Sequence, residues 1–190
     1  FQCKELDYLA DEINEMSDSL ATVERERASQ MAKAREIQQS LLPTDVRIEG
    51  LNLSSLFLPA EDVAGDYFDI VPLDDGTHVI CIADVTGHGV PAALSAMMLK
   101  VLLVEACERH ADPGKMLEFI NRRLTGVCHT EGFVTMFVGR FDQRQMTLQY
   151  ASAGHENGLF LTAKGQLSEF SATGMPLGIG EVLMVALSAA

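Results

Sequence analysis

The hydrophobic positions of the first forty residues recur at alternating spacings of three and four. The pattern crosses two polar positions, Arg27 and Gln30, and its apolar members are Leu6, Leu9, Ile13, Met16, Leu20, Val23, Ala34, Ile37 and Leu41. Sustained heptad spacing predicts one long helix that pairs with a second helix in a coiled coil. An amphipathic helix packed on its own domain would show a similar pattern. We expect Pro43 to end the helix, because the residue before a proline avoids the helical conformation.

After Pro43 the apolar residues form short runs separated by turn-forming residues, which is typical of strands. Two longer apolar or amphipathic stretches predict helices. The predicted strands are Leu51–Leu58, Tyr67–Leu73, His78–Asp84, Phe133–Phe141, Met146–Ser152, Asn157–Thr162 and Gln166–Phe170, and the predicted helices are Val90–His110 and Pro113–Val127. Strands, then two helices, then hairpins predict an α+β domain whose sheets are mainly antiparallel.

Composition and charge narrow the classes of function. The chain has 190 residues, 47% of them hydrophobic, which suits one globular domain with an appendage. Lys and Arg number 14 and Asp and Glu 27, so the net charge is −13. No stripe of Lys and Arg offsets this charge. The balance therefore argues against nucleic-acid binding and favours binding of cations or of a basic protein surface. No two cysteines form a CxxC pair, so we expect a reducing compartment and no zinc cluster; they are Cys3, Cys81, Cys107 and Cys128.

Two aspartates lie at the ends of predicted strands. Asp66 precedes the strand Tyr67–Leu73, and Asp84 closes the strand His78–Asp84 before a glycine-rich loop. Carboxylates at strand ends, beside glycines that let the backbone approach closely, suit Mg²⁺ or Mn²⁺. The alternative is that Asp66 is solvated and that Asp84 caps the following turn or helix.

Two histidines beside glycines are candidates for proton transfer. His88 lies between Gly87 and Gly89, and His155 follows Gly154. A histidine in such a loop can exchange a proton near pH 7, or it can simply hydrogen-bond the loop. The sequence contains no GxSxG, GxGxxG or GxxxxGK[ST] motif, so it supports neither a hydrolase elbow nor those nucleotide-binding loops.

Several short motifs occur in a fixed order along the chain. They are AREIQQSLLP (34–43), VAGDYFD (63–69), ADVTGHGVPAA (83–93), FVTM (133–136), AGH (153–155) and GMPLG (174–178). Together they resemble the bacterial type-2C protein serine/threonine phosphatases of the stage II sporulation and stress-regulator subgroup, which are metal-dependent. The resemblance covers about residues 34–190.

This resemblance implies a fold of two packed antiparallel β-sheets flanked by helices, with two Mn²⁺ or Mg²⁺ ions at one end. By motif match, Asp66 is a metal ligand and Asp84 is the carboxylate that bridges both ions. The backbone carbonyl of Val85 adds a ligand, and Asp69 supports the site from behind the ligands.

The implied reaction is hydrolysis of phosphoserine or phosphothreonine by in-line attack of a hydroxide that bridges the metals. His88 is implied as the acid that protonates the leaving oxygen. The loops near the site would contain Gly87, Gly89, Gly154 and His155. The implied substrate is a small phosphorylated protein of the anti-anti-sigma (STAS) type.

The segment Glu5–Met16 resembles the last helix of a HAMP signalling module. Such modules join a membrane-spanning sensor to cytoplasmic output domains as parallel dimers. With the heptads, this predicts a signalling helix over residues 1–42, a phosphatase domain over residues 43–190 and a homodimer through the helix. The predicted location is the cytoplasmic side of an inner-membrane-anchored bacterial sensor, with the membrane part upstream.

Two departures from the family pattern bear on activity. Ala64 stands where the first acidic motif has a glycine, which is a mild change unless that residue needs a positive φ. The Thr-Asp-Gly motif and the final aspartate, both metal-binding in the family, do not follow Gly178, which predicts a C-terminally incomplete domain. The alternative function is a catalytically degenerate phosphatase fold that acts as a dimeric binding or signalling module.

Overall fold

The computed structural model describes residues 4–44, 47–49, 51–127, 132–161, 164–180 and 188–189. Some predicted features lie outside these residues. They are the first three positions of the signalling helix, Cys3, Cys128, and Thr162 at the end of a predicted strand.

The first forty residues form one helix, α1 (Lys4–Leu41), as the heptads predict. The seam residues do not pack on the domain: between 54% and 71% of each side chain is exposed for Leu9, Ile13, Met16, Leu20, Val23 and Ile37. The alternative of an amphipathic helix lying along its own domain is therefore wrong. At the C-terminal end of α1, in contrast, Gln38 is buried and the following Leu42 joins the hydrophobic core.

After α1, the strands of the described residues form a five-stranded antiparallel sheet and a separate two-stranded hairpin. The strands of the larger sheet lie in the order β1 (Asp66–Pro72), β2 (Thr77–Val85), β3 (Val134–Asp142), β4 (Thr147–Ala153) and β7 (Ser188–Ala189). The hairpin consists of β5 (Gly158–Leu161) and β6 (Leu167–Phe170). The predicted α+β fold with antiparallel sheets is confirmed.

Two helices, α2 (Gly89–Arg109) and α3 (Pro113–Val127), pack against one face of the larger sheet. Side chains alternate along each strand, so every second residue points toward these helices. The resulting core contains Tyr67, Val79, Cys81, Ala83, Ala96, Leu99, Leu103, Met116, Leu117, Ile120, Met136, Val138 and Ala151. By length and by its mean hydropathy of 1.8, α2 could also cross a membrane, but a core helix meets the same criteria.

The other face of the sheet is only partly covered. Phe170 of the hairpin packs there against Tyr150 and Phe137, with ring centroids 4.9 and 6.2 Å apart. Beside these rings, Ile82 is 47% exposed and faces an open cleft of about 1350 Å³. The cleft lies between the sheet and the segment Leu51–Leu58, and the first five residues of β1 are among its lining residues.

The predicted strand Leu51–Leu58 is wrong, because residues 51–59 form no strand. Apolar and polar residues alternate only over residues 51–54, and Leu56 and Leu58 are 82% and 77% exposed. Phe57 reaches the sheet through a ring contact with Phe68, with the ring centroids 6.2 Å apart. A strand needs a hydrogen-bonded neighbour, and none of the described strands offers this segment one.

Candidate active site

Three polar side chains lie in a row on the sheet face that the helices do not cover. Asp66 opens β1, Asp84 is the last residue but one of β2, and Thr135 is the second residue of β3. The antiparallel register pairs Asp66 with Asp84, and Asp84 with Thr135. Directly paired residues point to the same face, so the two predicted aspartates meet at one end of the sheet.

His155 joins this row from the loop that follows β4. Its Nδ1 lies 2.9 Å from Oγ1 of Thr135, and the two atoms share a hydrogen bond. Gly154 before it has a φ of +64°, and a Cβ built there would lie 2.5 Å from the ring of Pro176. Glycine is therefore required at the turn that directs His155 toward the row.

The charges of the row affect one another. Partial burial raises the pKa of Asp66, the negative charge of Asp84 raises it further, and His155 lowers it. Burial lowers the pKa of His155, whereas the charges of Asp84, Glu156 and Asp66 act in the opposite direction. A carboxyl group whose pKa is raised by burial and by a neighbouring carboxylate, next to a histidine, is typical of a functional site.

The oxygen atoms of this row fit a hard divalent cation. A cation between Asp66 and Asp84 would neutralise the repulsion that raises the pKa of Asp66. The Val85 carbonyl lies against Gly65, where a Cβ would be only 2.6 Å from the oxygen. In the described part of the chain, no three His, Cys, Asp or Glu side chains form a metal-binding group. Two carboxylates and a backbone carbonyl are donors that suit Mg²⁺ or a similar ion, which takes one or two carboxylates and keeps several waters.

The change from glycine to Ala64 in the first acidic motif causes no backbone strain. Met146 is the non-glycine residue with a positive φ in the described part of the chain, so Ala64 does not need the left-handed conformation. The replacement is mild, as expected.

His88 lies in the loop between β2 and α2, four residues after Asp84, and its ion-pair contact is with Glu61. It occupies the N-cap position of α2, and its side chain is 86% exposed. Its Nδ1 lies 3.2 Å from a carboxylate oxygen of Glu61. Gly87 and Gly89 on either side have φ values of +100° and +69°. The role of His88 as an acid stays a prediction.

The expectation that Asp69 supports the metal site needs correction. Side chains alternate along β1, so Asp69 points to the opposite face of the sheet from Asp66. It is buried there, 2.7 Å from Nζ of Lys100, and it accepts a hydrogen bond of 2.7 Å from the Tyr67 hydroxyl. Asp69 therefore joins β1 to α2 and has no place beside Asp84.

Two residues that reach the site had no predicted role, namely Thr135 and Gln38. The signal for Thr135 was one polar residue between the apolar Val134 and Met136, in the apolar first half of β3. The signal for Gln38 was its place in the first motif, one position away from the exposed seam.

Comparison with known proteins agrees with the geometry. The stage II sporulation protein E (SpoIIE) family matches residues 74–186. Phosphoserine phosphatase RsbU of Bacillus subtilis is 33% identical over 165 residues, which cover 86% of this chain and 49% of RsbU. Phosphoserine phosphatase RsbP of the same organism is 25% identical over 154 residues, covering 79% of this chain and 38% of RsbP. The chain thus spans about half or less of these relatives.

A solved structure shows the same fold. The SiaA-PP2C domain of Pseudomonas aeruginosa superimposes with a TM-score of 0.76 at 21% identity, over 90% of this chain and 69% of that domain. The family match covers more than half of the chain and includes the end of β2, the FVTM strand and the AGH loop. The chain therefore belongs to the SpoIIE family of type-2C phosphatase domains.

Proposed function

We propose that this protein is a metal-dependent phosphatase that hydrolyses phosphoserine or phosphothreonine on a signalling protein. The observation that carries the proposal is the pairing of Asp66 with Asp84 at the end of the sheet, beside His155. The names of the relatives RsbU and RsbP, both phosphoserine phosphatases, support the reaction class. From the family resemblance, the proposed substrate is a small phosphorylated protein of the anti-anti-sigma type.

The residues of the site have separate tasks in this reaction. Mn²⁺ or Mg²⁺, with two ions expected from the family, supplies Lewis acidity and an activated water when bound. Asp66 and Asp84 would hold the ions through their carboxylates, and the carbonyl of Val85, the residue after Asp84, would supply a further oxygen. The Thr135 hydroxyl fixes the His155 ring through Nδ1, which leaves Nε2 as the atom that can hold or move a proton.

Substitution of the two histidines should separate their roles. We expect His155→Gln to lower kcat on a phosphoserine protein roughly 100-fold. This is the lower end of the range that is typical for loss of an acid–base group. His88→Gln should cost less, because the His88 side chain is 86% exposed and pairs with Glu61. Steady-state kinetics at saturating Mn²⁺ measures both effects. A larger loss in His88→Gln would instead support His88 as the acid.

A second candidate function is a degenerate phosphatase fold that binds a partner without turnover. The observation in its favour is that the described residues contain no cluster of three metal-binding side chains. Calorimetric titration of the protein with Mn²⁺ discriminates the two. If the protein binds Mn²⁺ and hydrolyses the phosphoprotein, the phosphatase function is supported. If it binds the partner but neither binds Mn²⁺ nor hydrolyses the phosphoprotein, the degenerate module is supported.

We further propose that α1 forms a parallel homodimer as the end of a HAMP-type signalling helix over residues 1–42, preceding a phosphatase domain over residues 43–190. The exposed seam of α1 supports the dimer, because leucine and isoleucine side chains at heptad spacing are stabilised by pairing. In the full-length protein we place the domain on the cytoplasmic side of an anchored sensor. Fractionation of cells that produce that protein tests the location, and recovery in the soluble fraction would contradict it.

The dimer gives a prediction about mass. Leu20→Asp should raise the dimer dissociation constant at least tenfold, because each chain loses a buried leucine worth about 1.5–3 kcal/mol. Ser19→Asp, at an exposed neighbouring position of α1, is the matched control and should keep the wild-type mass. Sedimentation equilibrium at tens of micromolar measures both. A monomeric mass for the wild-type protein would refute the dimer.

A further inference from the structure

One polar side chain of the long helix is buried against the catalytic domain. Gln38 is 3% exposed, whereas the other residues of α1 with a described burial are exposed or half-buried. Its Nε2 donates a hydrogen bond of 2.7 Å to the Ala64 carbonyl oxygen, and its Oε1 accepts one of 3.1 Å from the Ala64 amide. One side chain thus satisfies both backbone polar groups of a single residue, as a neighbouring strand would.

The residue that Gln38 holds is close to both candidate ligands. Ala64 lies two positions before Asp66, and the intervening Gly65 accepts a hydrogen bond of 3.3 Å from the Val85 amide. The β1–β2 register, which places Asp66 opposite Asp84, begins immediately after this contact. A short path of hydrogen bonds therefore runs from α1 to the strand ends that contain both carboxylates.

Two faces of α1 have different surroundings at this point. Ile37, on the heptad seam, is 61% exposed, whereas the next residue, Gln38, points into the domain. Consecutive residues of an α-helix are about 100° apart around its axis, so seam and amide occupy different faces. Pairing through the seam and the contact with Ala64 are thus compatible, and a rotation of α1 by one residue would break the contact.

We propose that Gln38 is a positioning residue of the metal site. It holds Ala64 so that Asp66 stands opposite Asp84. The metal part of this inference rests on the proposed function, whereas the ordering of residues 62–66 does not. Residues that orient metal ligands typically change metal affinity 10- to 100-fold when they are replaced.

The test uses Gln38→Met, which keeps the length and helix propensity of the side chain but removes both hydrogen bonds. Gln39→Met, at the exposed neighbouring position, is the matched control. Hydrogen exchange followed by mass spectrometry on metal-free protein reports the order of residues 62–66, and Mn²⁺ titration calorimetry reports affinity. Gln38→Glu, which retains an acceptor for the Ala64 amide, provides a partial rescue if Gln38→Met folds poorly.

We expect Gln38→Met to exchange faster at residues 62–66 but not in β3 or β4, and to bind Mn²⁺ at least tenfold more weakly. Gln39→Met should behave as wild type, and Gln38→Glu should be intermediate. Unchanged exchange at residues 62–66 overturns the inference whether or not the wild type binds metal. Wild-type Mn²⁺ affinity in Gln38→Met overturns it as well, as does a faster exchange of the whole domain in Gln38→Glu. Failure of the wild-type protein itself to bind Mn²⁺ contradicts the proposed function instead, and exchange alone then decides the role of Gln38.

Discussion

Asp84→Asn should lower phosphatase activity and Mn²⁺ affinity at least about 100-fold, and it should make the metal-free protein slightly more stable. We expect a large loss because Asp84 is the middle residue of the row, paired with Asp66 on one side and with Thr135 on the other. Because Asp84 is proposed as a direct ligand, its removal should exceed the 10- to 100-fold cost of losing a residue that only supports a ligand.

The gain in stability comes from the same pair. Like charges directly opposite each other across strands are unfavourable by about 0.2–1 kcal/mol. The pKa of Asp66 is raised above its ordinary 3.8, so its contribution to stability is complete below pH 3.8 and is lost as the pH rises through the raised value. Asp84→Asn removes the charge that contributes to this shift, so the pH dependence should become weaker.

Two measurements check this prediction, namely turnover of a phosphoserine protein with Mn²⁺, and urea unfolding with a chelator between pH 4 and 7. Asp62→Asn, a nearby exposed aspartate, is the control and should change neither by much. Wild-type activity in Asp84→Asn would mean that the row is not the catalytic site.

Asp69→Ala should destabilise the domain by about 3 kcal/mol without removing a metal ligand. The substitution leaves the Lys100 ammonium and the Tyr67 hydroxyl without the carboxylate that both contact. Breaking a buried ion pair by removing one partner typically costs 3–5 kcal/mol. The lower end applies because 29% of the Lys100 side chain is exposed and retains some water.

The double variant Asp69→Leu, Lys100→Leu separates lost charge from lost packing. Because it leaves no unpaired charge, its stability should lie closer to wild type than that of Asp69→Ala. Asp74→Ala, at an exposed turn position, should stay within about 0.5 kcal/mol of wild type. Urea unfolding measures all three. If the double variant is as unstable as Asp69→Ala, then packing or the unpaired Tyr67 hydroxyl, and not the unpaired charge, explains the loss.

Local patterns predicted most of the fold because they depend on neighbouring residues. The heptads of α1 and the apolar runs of β2 and β3 define their elements to within a few residues. The segment Leu51–Leu58 is a short, mostly apolar run of the kind that predicts a strand, but a strand also needs a partner, which is a non-local condition.

Local patterns also predicted part of the candidate site. Asp66 and Asp84 stand at strand ends next to glycines, and the register then brings them together. The alternation of side chains along a strand already predicts that Asp69 and Asp66 lie on opposite faces of the sheet, because they are three residues apart. The pairing of Thr135 with His155 joins residues 20 positions apart and depends on how β3 and β4 align, which no single motif contains.

The exposed length of α1 has a consequence for how the molecule moves through solution. Its 38 residues extend about 57 Å, nearly twice the diameter of a small domain, and its described residues before Gln38 are largely exposed. Such a rod increases hydrodynamic drag far more than it increases mass. A single chain would therefore elute from a sizing column like a heavier globular protein and imitate a dimer. Scattering intensity and sedimentation equilibrium report mass independently of shape, so these two methods can distinguish one elongated chain from two paired ones.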